Sequence, residues 1–483
     1  MVVWWVAACA VGVTLLASAA VGLRAARSGS DDLEDYTIAR SSQSATSLAL
    51  SFVASGLGAW LLFAVPEVGA GVGLVAVVGY ALAAAAPFVV LAWLGPRLRA
   101  VLPRGHGLNE FVRLRFGTGF HRYVVGVSLL YMLVFVTAEL TAVGAVTTTL
   151  SDLDPRAVIL AVAVATVAYT GYGGLRASLV TDRWQAVAVV VLLAVAAVAA
   201  AAALPTAPGA ALAASGLLGV HRVGVESALT LVLAVTAANL FHHGYWQRVW
   251  AARDSGTLQR GALVGAAASI PLVLGVGLFG VAAVGAGLDL GTPPAPFFAV
   301  LGGLPAVLGA AVLVLAVALV ASTVDTLENG LAALVVTERP SLSLAAARLV
   351  TVLAMVPAVA VALQGLSVLR LLLVADLLAA TAVVPALLGL WRRATPAGAL
   401  AGAVAGLVGA VVPTTVAAGS PLAGLQAVTF PDGVPTLAPF AGAIIASTVV
   451  AVATCLAGRS VTDLAALDEQ VPVLRGAMPQ PPA

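Results

Sequence analysis

Residues 47–70 read SLALSFVASGLGAWLLFAVPEVGA and are apolar enough to enter a membrane. The centre of this stretch, ASGLG at 54–58, makes a poor helix interior because glycine and serine weaken helices. A broken apolar helix leaves backbone carbonyls without helical partners, and a bilayer tolerates these only where protein or a cavity covers them. Such carbonyls bind cations at the centre of transporters. The stretch therefore predicts a broken membrane helix, closed by Pro66 and Glu67, that forms the hinge of an ion-coupled carrier.

The composition is that of a membrane protein. The chain has 483 residues, of which 61% are hydrophobic and only 9% are charged, whereas soluble domains carry about 25% charged residues. We expect an all-α polytopic protein with the lipid bilayer as partner, and the net charge of +2 gives no indication of a nucleic-acid partner. No nucleophile–base pair, phosphate loop or metal-type cysteine spacing stands out. The chain is therefore not expected to be an enzyme or to hold a cofactor.

Apolar runs of spanning length, about 20 residues each, occur thirteen times. They lie near 2–23, 45–66, 71–94, 122–148, 156–172, 184–204, 226–245, 261–286, 305–335, 344–363, 367–391, 396–416 and 438–457. The run at 305–335 is long enough to predict a bend.

The distribution of arginine predicts the orientation. With the N-terminus outside, 20 of the 23 basic residues fall in inner loops, and only Arg156, Arg222 and Arg370 fall outside. Such a bias follows the positive-inside rule. The sequence predicts a multi-pass protein of the plasma membrane with an outer N-terminus and a cytoplasmic C-terminus.

Four motifs resemble those of the sodium:solute symporter family. They are SDDLEDYTIARSS at 30–42, AYTGYGGLRASLVTDRWQA at 168–186, NLFHHGYWQRVWAAR at 239–253 and VASTVDTLENG at 320–330. The opening stretch is similar, nearly position for position, to the matching helix of that family's bacterial sodium/proline symporters. The resemblance covers residues 30 to 395 in order.

The resemblance implies a LeuT-type fold in a single transmembrane transporter domain, with two inverted five-helix repeats around a midplane site. The expected parts are 1–44, a first helix and cytoplasmic loop; 45–204 and 226–391, the repeats; 392–457, peripheral helices; and 458–483, a cytoplasmic tail.

The implied function is sodium-coupled import of a small polar solute by alternating access. Proline or another amino acid is the first expectation for the solute, and urea or a short monocarboxylate is the alternative. A facilitator without coupling and a transporter-like sensor are further alternatives, although the short tail argues against a sensor within this chain.

The family's sodium site maps onto the carbonyls of Ala54, Leu57 and Leu319 and the hydroxyls of Ser322 and Thr323. Sodium prefers several neutral, hard oxygen ligands, which these groups supply. The alternative is that the two hydroxyls bond back to their own helix.

Two further positions bear on the coupling ion. The family's sodium/proline symporters carry an aspartate where this chain has Gly56, which leaves both the proline assignment and the choice between Na⁺ and H⁺ open. Asp182 matches an acid thought to lie beside the sodium exit. The alternative is an exposed loop charge paired with Arg183 or Arg176.

Candidate solute ligands are residues of the broken helix and polar residues within apolar spans, since charges there are usually functional. They are Gly56, Trp60, Glu67, Glu139, Asn239, His242 and Asp376. The alternatives are a structural acid for each carboxylate and an inner-interface residue for the histidine. No buried arginine is evident for a solute carboxylate, so free backbone N–H groups would have to bind it.

Overall fold

The computed structural model describes residues 1–27, 33–292, 294–302, 305–431, 435–458 and 461–474. Parts of the predicted cytoplasmic loop (28–32) and tail (459–460 and 475–483) lie outside the described residues. The helices are α1 (Trp4–Ala26), α2 (Leu33–Thr37), α3 (Ala45–Gly56), α4 (Trp60–Gly71), α5 (Leu74–Val101), α6 (Leu108–Phe116), α7 (Thr118–Leu150), α8 (Pro155–Ala203), α9 (Pro208–Ala214), α10 (Arg222–Asn239), α11 (His243–Ala251), α12 (Ser255–Gly285), α13 (Pro296–Leu301), α14 (Ala306–Glu338), α15 (Leu344–Ala362), α16 (Val368–Leu387), α17 (Pro396–Ala418), α18 (Pro421–Ala427) and α19 (Leu437–Ala457).

The predicted spans are present. Within the described residues, ten helices are long and apolar enough to cross a membrane, and two bent helix pairs, α3 with α4 and α10 with α11, each make one more. The 49-residue α8 contains two of the predicted spans, because Gly174 takes the non-helical angles φ 58° and ψ −151° in its interior. Counting α8 twice gives the thirteen spans that the sequence predicted.

The first bent pair is the broken helix predicted at 54–58. The axes of α3 and α4 differ by 63°, and Leu57 leaves α3 in an extended conformation. However, Pro66 and Glu67 do not close this helix, as had been predicted, because α4 continues to Gly71. Gly280 of α12 lies against the carbonyl of Pro66, so neighbouring protein covers the backbone that proline disturbs.

The second bent pair was missed by the sequence analysis. α10 and α11 also differ by 63°, although the link between Asn239 and His243 contains neither glycine nor proline. One local and one tertiary side-chain hydrogen bond support this break. The indole of Trp246 donates to the Leu240 carbonyl at 2.7 Å, and the Tyr245 hydroxyl donates to the Ser55 carbonyl on α3 at 3.3 Å. The two breaks therefore face each other.

The remaining helices enclose these two breaks. α14 packs against α3, α7, α8 and α11, and α16 packs against α4, α7 and α10. The bend expected within 305–335 is absent, because α14 forms one continuous 33-residue helix. α17 and α19 pack on each other at the periphery, and with α1 and α15 they are the least buried of the spans.

The contact between α4 and α12 gives a test of the fold. Gly280→Ala should place a methyl group on the carbonyl oxygen of Pro66, and such overpacking costs about 1–3 kcal/mol. We expect a lower melting temperature for the purified protein in detergent. Gly275→Ala on the same helix is the matched control, because its added carbon has no atom within 4 Å and alanine favours helix. Equal melting temperatures for the two variants would contradict this contact.

Candidate functional site

A small cavity of about 40 Å³ lies beside the two helix breaks, and we call it the central cavity. It is lined by Gly56, Trp60, Tyr80, Ala84, Pro87, Phe88, Tyr131, Phe135, Val235, Asn239, Tyr245, Leu372 and Asp376. Six of these residues are aromatic. Concave, mostly apolar sites with a few polar groups are where small molecules bind, so this cavity is the candidate solute site.

Among the described residues that line the central cavity, Asp376 is the one with a carboxylate. It belongs to α16 and is 6% exposed, and among the described residues no hydrogen bond or ion pair reaches it. Asn239 is already engaged, because its side chain accepts from the Tyr131 hydroxyl at 3.2 Å and donates to the Val235 carbonyl at 2.8 Å. A buried carboxylate without a partner requires a proton or a cation, so Asp376 is suited to hold a cationic solute.

The aromatic rings form two walls of the cavity. Trp60 stacks on Tyr80 with ring centroids 5.3 Å apart, and Phe88 meets Tyr245 edge-on, also at 5.3 Å. The electron-rich faces of such rings attract organic cations, most strongly where water is excluded. The walls and the carboxylate of Asp376 therefore favour the same kind of solute.

Glu139 lies outside the cavity lining and caps the second half of the broken helix. Its carboxylate accepts hydrogen bonds from the backbone N–H of Ala59 at 2.7 Å and of Trp60 at 3.4 Å. These are the unpaired N–H groups at the start of α4, where an anion is favoured. Gly58 makes the contact possible, because a side chain there would overlap the carboxylate. The chain thus supplies its own anion at the break.

The predicted sodium ligands retain unpaired oxygens. Within the described residues, no hydrogen bond reaches the carbonyls of Ala54 and Leu57, and the buried Thr323 hydroxyl has no partner. The Ser322 hydroxyl donates to Asp182 at 2.9 Å, which leaves its lone pairs available. Neither hydroxyl bonds back to α14, so that alternative does not hold. With Leu319, whose carbonyl lies one turn earlier on α14, these are neutral oxygens of the kind sodium prefers.

Asp182 is fully buried in α8 and forms an ion pair with Arg248 of α11. The guanidinium Nη2 lies 2.9 Å from the Asp182 carboxylate, and neither side chain is exposed. Ser51 of α3 joins the pair, because its hydroxyl donates to Asp182 at 2.5 Å and accepts from Arg248 at 2.8 Å. Ser322 of α14 contacts the other carboxylate oxygen. The pair therefore connects four helices next to a predicted sodium ligand.

These contacts correct two expectations. Asp182 is not an exposed loop charge and does not pair with Arg183, whose side chain bonds Ser47 and Gln43 instead. In addition, a buried arginine does exist. The positive-inside pattern predicts Arg248 in an inner loop, near the end of the segment NLFHHGYWQRVWAAR. The helix break at 240–242 keeps it inside the protein.

Two further acids join α14 to α8. Asp325 accepts hydrogen bonds from the hydroxyls of Tyr169 at 2.7 Å, Ser178 at 2.7 Å and Thr181 at 3.2 Å. Glu328, one turn later, accepts from Thr166 at 2.9 Å through one oxygen. The hydroxyl donors of α8 satisfy Asp325, so its role here is to hold two helices together.

A second, larger cavity of about 650 Å³ opens at the end of the bundle where α4 and α7 end and α8 and α16 begin, and we call it the vestibule. Its lining includes Glu67, Arg156 and Asp289. Glu67 is half-buried, and no hydrogen bond or ion pair within the described chain involves its carboxylate. The vestibule is lined by Glu67 of α4 and Val368 of α16, and these two helices also supply residues of the central cavity.

The opposite, arginine-rich end is closed by ion pairs. His106 lies between two carboxylates, 2.8 Å from Glu34 and 3.0 Å from Glu110, and Arg40 is 2.5 Å from Glu34. Burial would lower the pKa of His106, but the two carboxylates outweigh burial and raise it to about 9. Burial would raise the pKa of Glu34, yet His106 and Arg40 lower it. Both groups are charged at neutral pH, which strengthens the closure.

The structure separates the seven predicted solute residues. Four of them line the central cavity, namely Gly56, Trp60, Asn239 and Asp376. Glu67 lines the vestibule instead. Glu139 and His242 line neither cavity: Glu139 caps α4, and the His242 ring stacks on Tyr245 at 4.1 Å with no hydrogen-bond partner. We therefore assign neither of these two to the solute.

Apart from Trp60, the aromatic lining and the burial of Arg248 were not predicted from the sequence. Tyr80, Tyr131 and Tyr245 carry polar groups within apolar spans, which is the same signal that selected the acids. Aromatic residues are also ordinary core residues, so only the packing distinguishes the two roles.

Comparisons with known proteins agree with this geometry. A model of the sodium:solute symporter family matches residues 36–338, more than half of the chain. A spermidine transporter of Candida albicans is 29% identical over 363 residues, which are 74% of this chain and 70% of that protein.

Solved structures share the fold. A Na⁺-coupled sialic acid symporter, substrate-bound and outward-open, aligns with a TM-score of 0.74 at 14% identity over 95% of this chain and 99% of that chain. Mhp1, a nucleobase–cation symporter with bound bromovinylhydantoin, aligns with a TM-score of 0.56 at 13% identity. The alignment covers 92% of this chain and 99% of that chain. MhsT in complex with L-phenylalanine aligns with a TM-score of 0.55 at 14% identity, over 85% of this chain and 97% of that chain. The predicted LeuT-type fold is confirmed.

The buried ion pair gives a test of the site. Arg248→Met should leave Asp182 charged and unpaired, and breaking a buried pair costs about 3–5 kcal/mol. We expect a strongly lowered melting temperature in detergent, and the double variant with Asp182→Asn should recover most of the loss. Arg222→Met is the control, because the Arg222–Glu226 pair is exposed and such pairs contribute about 0–1 kcal/mol. If the decreases in melting temperature of the two single variants simply add up in the double variant, the pairing is ruled out.

Proposed function

The chain belongs to the sodium:solute symporter family, and we propose that it is a sodium-coupled symporter whose solute is an organic amine, bound as its ammonium ion. The observation that carries this proposal is Asp376, a buried carboxylate without a partner in a cavity walled by aromatic rings. An ammonium ion would satisfy the carboxylate and contact the ring faces at the same time.

Glu139 argues against solutes that carry a carboxylate. An amino acid or a monocarboxylate would need the free N–H groups at the helix break, but Glu139 already holds those of Ala59 and Trp60. Arg248 is likewise engaged with Asp182. Proline, predicted from the family resemblance, is therefore the competing proposal, and urea is a weaker one because a neutral solute would leave Asp376 without a charge partner.

The spermidine transporter supports an amine as solute. Spermidine is a polyamine, and its ammonium groups match the chemistry of the central cavity. That relative is similar over 70% of its own length, and its match to this chain is stronger in sequence than those of the structures named above.

Sodium would bind between the helix break and α14. We propose that the carbonyls of Ala54, Leu57 and Leu319 and the hydroxyls of Ser322 and Thr323 hold it. Because α3 and α14 both supply ligands, an ion there would fix the distance between the two helices. Arg248 neutralises Asp182, so Asp182 would not ligate the ion. Through its hydrogen bond with Ser322, it would position that ligand and so affect the affinity of the site for sodium.

The two ends of the bundle suggest alternating access. We propose that 45–204 and 226–391 form the inverted repeats, each opening with a broken helix, and that they rock around the central cavity. The arginine-rich end would face the cytoplasm and the vestibule the outside of the plasma membrane. An inward sodium gradient would then drive the solute inward.

Removing a sodium ligand tests the coupling. Thr323→Ala should raise the sodium concentration for half-maximal uptake by about tenfold or more, since a bond to a charged group contributes about 1.5–3 kcal/mol. The maximal uptake at saturating sodium should change much less. Thr337→Ala is the matched control, because this buried hydroxyl of α14 bonds back to the Leu334 carbonyl. Sodium-independent uptake by the unaltered protein would refute the mechanism.

Uptake into proteoliposomes tests the solute. We expect labelled putrescine and spermidine to accumulate under a sodium gradient, and proline, urea and acetate not to. Asp376→Asn should weaken the apparent amine affinity by about tenfold or more because it removes the charge that faces the ammonium. Asp152→Asn, which removes an exposed acid, should have no such effect. Sodium-driven uptake of proline without amine uptake would favour the competing proposal.

A further inference from the structure

Glu67 lies on the same face of α4 as the lining of the central cavity. Trp60, Phe63 and Glu67 are spaced i, i+3 and i+7, which places them in one row along the helix. Trp60 lines the central cavity, whereas Phe63 and Glu67 line the vestibule. With a rise of 1.5 Å per residue, Glu67 stands about 10 Å along the axis from Trp60.

α16 repeats this arrangement on the facing side. Val368 lines the vestibule, and Leu372 and Asp376 line the central cavity, with a spacing of i, i+4 and i+8 on one face. α4 and α16 pack against each other. The two cavities are therefore consecutive levels of one path between these helices, with a carboxylate at each level.

An aromatic partition separates the two levels. Trp60 stacks on Tyr80, and Phe63 packs against Phe298 of α13 at 5.0 Å. The indole N–H of Trp60 is buried without a partner.

Acidic side chains line both cavities along this path. Glu67 has no partner among the described residues, and Asp289 of the vestibule uses one oxygen on the backbone N–H of Gly291 at 3.0 Å. Arg156 is the basic residue of the vestibule lining. A solute with one ammonium would satisfy Asp376 and leave Glu67 alone.

We infer that Glu67 forms a second ammonium subsite, so that the preferred solute is a linear polyamine with at least two ammonium groups. The polyamine binds Glu67 from the vestibule, and its leading ammonium passes the Trp60–Tyr80 partition to reach Asp376. Its flexible methylene chain lies between the aromatic rings. This inference rests on the proposed amine transport and adds the length and charge of the solute.

The test compares unlabelled n-butylamine, putrescine and spermidine as competitors of the sodium-driven uptake of labelled n-butylamine in proteoliposomes. In the unaltered protein, spermidine should compete about tenfold or more better than n-butylamine. Glu67→Gln should remove most of this difference, because it weakens competition by spermidine and leaves competition by n-butylamine unchanged. Asp289→Asn is the matched control, because it removes one charge from the same vestibule, and it should preserve the difference.

The outcomes separate the two levels of the proposal. If spermidine still competes better than n-butylamine by the same factor in Glu67→Gln, the second subsite is overturned while the proposed amine transport stands. If no amine is transported by the unaltered protein, both proposals fail. Unchanged n-butylamine competition in Glu67→Gln also demonstrates that the variant is folded, and Glu67→Asp, which keeps the charge, should retain part of the preference for spermidine.

Discussion

The hydrogen bonds from the backbone of Ala59 and Trp60 to Glu139 are the interaction on which the site depends. A broken helix inside a membrane leaves N–H groups that need an anion or another acceptor. Many carriers leave that place to the solute, but here a buried side chain fills it, and Gly58 provides the space. The break is thereby stabilised without solute. In the central cavity, the indole N–H of Trp60 and the carboxyl of Asp376 both remain without a partner among the described residues, and the carboxyl favours a cationic solute.

The two helix breaks are connected, which gives a physical route for coupling. Tyr245 of α11 donates to the Ser55 carbonyl of α3 and also lines the central cavity. Arg248, one turn further along α11, bonds Ser51 and Asp182, and Asp182 contacts the predicted sodium ligand Ser322. A solute that shifts α11 would therefore move the surroundings of the ion. By linkage, sodium and solute must then change each other's affinity to the same extent.

The sequence predicted the spans and the first break because glycine and serine in an apolar run have a local physical meaning. The break at 240–242 contains no glycine or proline, and the hydrogen bond from Tyr245 to the Ser55 carbonyl that supports it forms only in the folded protein. Missing that break also misplaced Arg248 at the membrane edge. Glu67, Glu139 and Asp376 were all predicted as solute ligands because they are acids within or at the end of apolar runs. Their different roles depend on what faces each carboxylate, which spacing along one helix does not reveal.

The central claim, that the chain's own carboxylate excludes a carboxylate-bearing solute, is tested most directly by an experimental structure in lipid nanodiscs with sodium and putrescine. The account predicts that Glu139 still accepts the hydrogen bond from the Ala59 N–H and that an ammonium group of putrescine contacts the Asp376 carboxylate. It also predicts an ion between α3 and α14, near Ala54 and Thr323. A structure with proline in which Glu139 has moved away and the solute carboxylate accepts from the Ala59 N–H would contradict the account.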